Sequence, residues 1–192
     1  MTESAYSIVS KYLVALVVLG LFAAPGFTKA AAFTVTDDTG KKIVLTRQPA
    51  RIVSLSAGAT ELLFTAGAGS RVVGTVIGAD APEAAKKVER LGDVNALKYE
   101  RLQSLKPDVI VIWRDMTHEL VLESLQKLRL PIYQVSVRNF DDMPASIRRL
   151  GQLAGTSSAA DKAARQFEAQ IAKLPKRPAT QAISGMPTVF FM

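Results

Sequence analysis

Cysteine is absent from this chain of 192 residues, and histidine occurs once, as His118. Without cysteine there are no disulfides, and no thiol is present to carry a lipid anchor. With a single histidine there is also no His/Cys cluster of the kind that holds zinc or another transition metal. Aromatic residues make up only 7% of the chain, with one tryptophan, Trp113. The aromatics do not interleave with the basic residues, which are scattered at Arg51, Arg71, Lys86, Lys87, Arg90, Arg148 and Arg149. The net charge of +7 is therefore read as a solvated surface that attracts anions, and nucleic acid is not an expected partner. No apolar run is long enough to cross a membrane. The longest, Tyr12 to Ala24, has 13 residues and is followed by Ala30-Ala-Ala32. That pattern reads as a secretory leader over residues 1–32, cleaved after Ala32, with an uncleaved anchor as the alternative. Its removal takes away two lysines and one glutamate, so +7 becomes +6. An exported chain without cysteine is expected to rely on its core alone, most simply in a bacterial periplasm.

What is present is an alternation of short apolar runs and amphipathic stretches. Residues 33–46 read as a hairpin turning at Asp37-Asp-Thr-Gly40. Strands are predicted over 51–56, 72–77, 109–113 and 132–137, the third being Val-Ile-Val-Ile-Trp. Its continuous β-branched run suits a strand covered on both faces, as in parallel sheets. Between them, helices are predicted from Gly58 to Ala66, over 83–90, over 99–105 and over 117–129, with 92–95 as a loop. A further helix runs from Asp141-Asp142 to Leu153, whose acidic start suits its dipole. Thr156-Ser-Ser is expected to cap a last helix over 159–174, with Ala163, Phe167, Ile171 and Leu174 as its apolar stripe. This order predicts an α/β fold: a Rossmann-like parallel-sheet lobe with an N-terminal hairpin, followed by a long helix.

In such sheets ligands bind beyond the carboxyl ends of the strands. Four segments are expected there: Ser56-Ala-Gly58, Gly78-Ala-Asp80, Trp113-Arg114 and Val137-Arg138. They offer an aromatic face, two guanidiniums and a carboxylate, which suits a bulky, partly apolar ligand with anionic groups. The candidate ligand-binding residues are Ser56, Asp80, Trp113, Arg114 and Arg138. Each has a plainer reading: Trp113 as packing, the arginines as solvated surface, and Asp80 as a turn or cap. Glu119 and Glu123, one turn apart, read either as a solvated helix face or as docking carboxylates. Catalysis has little to work with. No G-x-S-x-G occurs, and a serine triad would have to join Ser54 or Ser56 to His118. No metal site and no bound cofactor are expected.

The run from Arg51 to Gly67 (RIVSLSAGATELLFTAG), then Val72-Val-Gly74, then Leu105-Lys-Pro-Asp-Val-Ile-Val-Ile-Trp113, resembles the periplasmic binding proteins of ABC importers for cobalamin, ferric siderophores and haem, most nearly their cobalamin-binding branch. The resemblance covers about residues 33–192. It implies a first ligand-binding lobe over 33–154, an inter-lobe helix and linker over 155–178, and the start of a truncated second lobe over 179–192, the rest of that lobe missing. It also implies the function: a monomeric extracytoplasmic solute-binding component that captures a corrinoid or iron complex and delivers it to a membrane permease. Trp113 matches a tryptophan lining the ligand cleft, and Glu119 a glutamate that docks on the permease. Gly78 and Ala81 stand where cobalamin binders carry tyrosines, and Asp115-Met-Thr117 replaces their Gly-Gly-Asn. Haem binders usually present a tyrosine ligand, which has no match here; His118, beside the docking position, is the candidate in its stead. The competing reading is a secreted α/β hydrolase-type enzyme.

Overall fold

The computed structural model describes residues 32–174. The expected leader before them, and the linker and strand start after Leu174, lie outside the described residues.

Strands β1 (Phe33–Thr36) and β2 (Lys42–Leu45) form the predicted antiparallel hairpin. The buried Asp37 fixes its turn, because one carboxylate oxygen accepts from the amides of Thr39 (3.0 Å) and Lys41 (2.9 Å). The main sheet contains β3 (Ile52–Ser54), β4 (Val72–Thr75), β7 (Val109–Trp113) and β8 (Ile132–Val135), ordered β4-β3-β7-β8 and parallel throughout. The intervening β5 (Gly92–Asp93) and β6 (Ala96–Leu97) pair with each other. The stretch expected as a loop at 92–95 is therefore a two-residue hairpin. It is too short for any alternation to reveal it.

Helices α1 (Ala57–Thr65), α2 (Tyr99–Ser104), α3 (Glu119–Gln126), α4 (Asp142–Ala154) and α5 (Ser157–Ile171) follow the strands. The segment Glu83–Lys87 is a 3-10 turn, tighter than the helix expected there, and a second 3-10 turn, Arg114–Met116, links β7 to the helix that follows.

The sheet separates two cores. Val109 and Val111 of β7 face one core with α1, α4, α5 and the hairpin, whereas Ile110 and Ile112 face the other with α2 and α3. All four are fully buried, as a two-sided strand requires. Truncating one of the isoleucines to alanine would cost about 2–5 kcal/mol.

Helix α5 departs from expectation in its buried face. Ala160 and Ala164 are fully buried, whereas Phe167 is only half-buried and Leu174 is exposed. The reason is close approach to α4. A Cβ on Gly151 would stand 2.2 Å from that of Ala160, so only small residues fit between these helices. Arg148 of α4 closes the pair, reaching Asp161 (3.1 Å) and both oxygens of Glu168 (2.8 and 3.1 Å). Thr156 does not cap α5 with its side chain; its hydroxyl donates to the Ala66 carbonyl at 2.6 Å. The turn between the helices passes through Gly155 at φ +67°, a left-handed stop.

Candidate functional site

Strand β3 connects to β4 on one side and the chain then returns to β7 on the other, so the order of the sheet reverses between β3 and β7. The carboxyl ends of these two strands are where such sheets open a crevice. Gly58, in the first turn of α1 after β3, and Trp113, the last residue of β7, meet at that point. A Cβ on Gly58 would lie 2.8 Å from Cζ3 of Trp113 and 3.1 Å from Cε3, so the indole rests directly on the helix backbone.

Trp113 is half-buried and lines two cavities. One, of about 460 Å³, is shared with Val137, Arg138, Asn139, Phe140 and Met143. The other, about 190 Å³, includes Gly58, Met143, Ile147 and Phe167. Beside the first lies a polar cavity of about 830 Å³, lined among others by Asp38, Arg114, Asp115, Ser136, Arg138 and Arg149. Arg138 lines both the apolar and the polar cavity. Together they form an amphipathic surface: a flat apolar face with charged and hydroxyl groups along one border.

The charged border is preorganised. The Asp38 side chain is buried and accepts from the Ser136 amide (3.1 Å), the Ser146 hydroxyl and the Arg149 guanidinium (3.0 Å). Asp115 accepts from the Ser136 hydroxyl at 2.8 Å and lies 3.9 Å from Arg138. Beneath them Tyr133 is fully buried. Burial first, and then the Asp38 charge, push its phenol far above the ordinary range, so it stays neutral.

The structure gathers some of the sequence-derived candidates and separates others. Trp113 and Arg138 share a cavity wall, and Arg114 lines the adjoining polar cavity. Arg114 also reaches the exposed Glu119 at 3.2 Å, so a residue expected to meet ligand is paired with one expected to dock. Ser56 is the N-cap of α1, its hydroxyl accepting from the Ala59 amide at 3.3 Å. Asp80 lines neither Trp113 cavity and is held by Arg90 at 3.0 Å. Glu123 is exposed on α3, and His118 is exposed at its N-cap position without a capping bond. Ser54 is fully buried and accepts from the Thr60 hydroxyl at 2.9 Å. Among the described residues, no hydrogen bond joins a serine to His118, as a triad would require.

Sequence reasoning missed Phe140, Met143 and Phe167 as cavity residues. The available signal was an isolated aromatic in the polar turn Arg138-Asn-Phe-Asp141.

Comparison with known proteins gives consistent results. A family model described as periplasmic binding protein matches residues 52–192. The vitamin B12-binding protein of Pectobacterium atrosepticum is 35% identical over 126 residues, which cover 66% of this chain and 45% of the relative. The crystal structure of the periplasmic vitamin B12 binding protein of Vibrio cholerae aligns with a TM-score of 0.61 at 28% identity, over 65% of this chain and 49% of that one. A periplasmic haem-binding protein from Roseiflexus aligns with a TM-score of 0.56 at 29% identity, over 64% and 47% respectively. The chain spans about half the length of the relatives it matches.

Proposed function

The chain belongs to the periplasmic binding protein family, and from that premise we propose that it acts as the extracytoplasmic solute-binding component of an ABC importer, capturing a cobalamin or an iron complex (ferric siderophore or haem) and handing it to a membrane permease. The observation that carries this reading is the seat of Trp113 on Gly58 at the point where the strand order reverses, with an apolar cavity in front of it and a charged border beside it. A large planar ring with polar substituents matches those two surfaces. Its apolar face stacks on the indole, and its periphery meets Arg138 and Arg114. Relatives named for vitamin B12 and for haem bind ligands of that kind.

The role asks for binding and release without bond chemistry. Delivery requires a surface for the permease, for which the exposed Glu119 on α3 is our candidate. The working compartment in this reading is the periplasm.

Calorimetric titration of the chain with cyanocobalamin, haemin and a ferric trihydroxamate tests the reading. Binding of one or more of these, lost in Trp113→Ala, is the expected result. Absence of binding to all three, or binding indifferent to Trp113, would overturn it.

A further inference from the structure

Phe140 is the one aromatic among the exposed large apolar side chains of the described residues, at 66% exposure. It sits in the turn between β8 and α4, and that turn is held by its neighbours. Asn139 Oδ1 accepts from the amides of Asp141 (2.9 Å) and Asp142 (3.1 Å), and Asp142 Oδ2 accepts from the amides of Arg138 (3.0 Å) and Asn139 (3.2 Å). The backbone is thus fixed by two polar side chains, and the phenyl ring is not needed to set its shape.

The ring lines the Trp113 cavity with Val137 and Met143. On its other side it lines a groove of about 310 Å³ with Pro144, Phe167 and Ile171. Phe140 therefore stands as a partition between the Trp113 cavity and the α4–α5 groove. It is rigidly based, apolar and largely exposed to water.

We propose that Phe140 is a second ligand-stacking residue, forming with Trp113 an aromatic slot that receives the apolar face or edge of a conjugated macrocycle. This inference rests on the binding role proposed above and adds a contact that the sequence resemblance does not supply. Phe140 lines the same cavity as Trp113, with Arg138 beside it in that wall. A ring at that position gains dispersion and desolvation only when a ligand covers it.

The test is calorimetric titration of the whole chain with cyanocobalamin and with haemin, comparing wild type, Phe140→Ala, Phe140→Tyr and Trp113→Ala. Phe140→Ala should weaken the macrocycle that binds by roughly tenfold, the scale of one lost aromatic stacking contact together with its burial. Phe140→Tyr should restore affinity to within about twofold. The thermal midpoints of both variants should match wild type, since the ring is not part of the core. Phe140→Ala binding as wild type does, while Trp113→Ala has lost binding, overturns this inference and leaves the binding role intact. A wild-type chain that binds neither macrocycle overturns the inference as well. If it takes up the ferric trihydroxamate instead, the binding role survives alone.

Discussion

The indole of Trp113 rests on Gly58, and the space between them admits no methyl group: a Cβ there would meet Cζ3 at 2.8 Å. The first turn of α1 and the end of β7 are thereby joined at the crevice. Gly58→Ala should leave the fold in place, because alanine gains up to about 1 kcal/mol of helix propensity that offsets the crowding. The indole, whose ring atoms form the clash, is expected to swing away. Trp113 is the only tryptophan, so its emission maximum and near-UV circular dichroism report this directly. A changed spectrum with an unchanged thermal midpoint, and ligand affinity reduced at least tenfold, is the predicted outcome. An unchanged spectrum would mean that the helix yields and the indole stays.

Arg114, in the 3-10 turn before α3, and Glu119, the first residue of α3, pair at 3.2 Å, with both side chains substantially exposed. Such a pair contributes little to stability, on the order of 0–1 kcal/mol. Its interest is positional, since Arg114 borders the polar cavity while Glu119 faces outward. Glu119→Gln is predicted to leave ligand affinity within about twofold of wild type and the thermal midpoint unchanged. Uptake of ligand in cells carrying the cognate permease should fall at least tenfold. Weaker ligand binding in this variant would place Glu119 in the ligand site and argue against its docking role.

The parts of the fold that were legible in the sequence are those where one residue pattern has one structural solution. Val109 to Ile112 form a continuous apolar run because both faces of β7 are covered. Asp37-Asp-Thr-Gly40 turns the hairpin because Asp37 supplies acceptors for two amides. The buried face of α5 was illegible for the converse reason. Periodicity selects large apolar residues such as Phe167 and Ile171, whereas close helix packing against Gly151 selects Ala160 and Ala164. Trp113 and Arg138, singled out from their places at the ends of strands, line one cavity. Ser56 drew the same argument, but its hydroxyl is engaged in capping α1. Phe140 escaped because its one signal, a lone aromatic in a polar turn, does not say whether the ring faces solvent or packs.

A chain of hydroxyls runs through the core below the crevice. Thr60 Oγ1 donates to the Ser56 carbonyl (2.8 Å) or to Ser54 Oγ (2.9 Å) and lies 2.7 Å from Thr75 Oγ1, and Ser54, Thr60 and Thr75 are all fully buried. Thr60→Val keeps the shape and removes the central hydroxyl, leaving Thr75 without this partner. An unsatisfied buried polar group costs about 1–3 kcal/mol, and denaturant unfolding should show a loss of that size. Thr60→Ser, which keeps the hydroxyl and loses a methyl, should retain the hydrogen bonds and cost about 1 kcal/mol. Equal losses in the two variants would show that packing, not the hydroxyl chain, matters at this position.

Asp108 ties the entrance of β7 to that of β3, accepting from the amides of Ala50 and Arg51, both at 2.8 Å, with Arg47 at 3.4 Å. Burial by itself would raise this carboxyl. The Arg51 and Ala50 amides and the Arg47 guanidinium outweigh burial and hold it below its ordinary value. The folded-state value is thus lower than the unfolded one. The stabilisation is therefore fully present above the ordinary carboxylate range, near pH 4, and is lost as pH falls through and below that range. Asp108→Asn keeps one acceptor but carries no charge to titrate. It should be less stable than wild type at neutral pH, and the difference should narrow steadily as the solution is acidified. Denaturant midpoints measured between about pH 7 and pH 2.5 give both curves. Parallel curves across that window would show that the amide caps serve asparagine as well as aspartate.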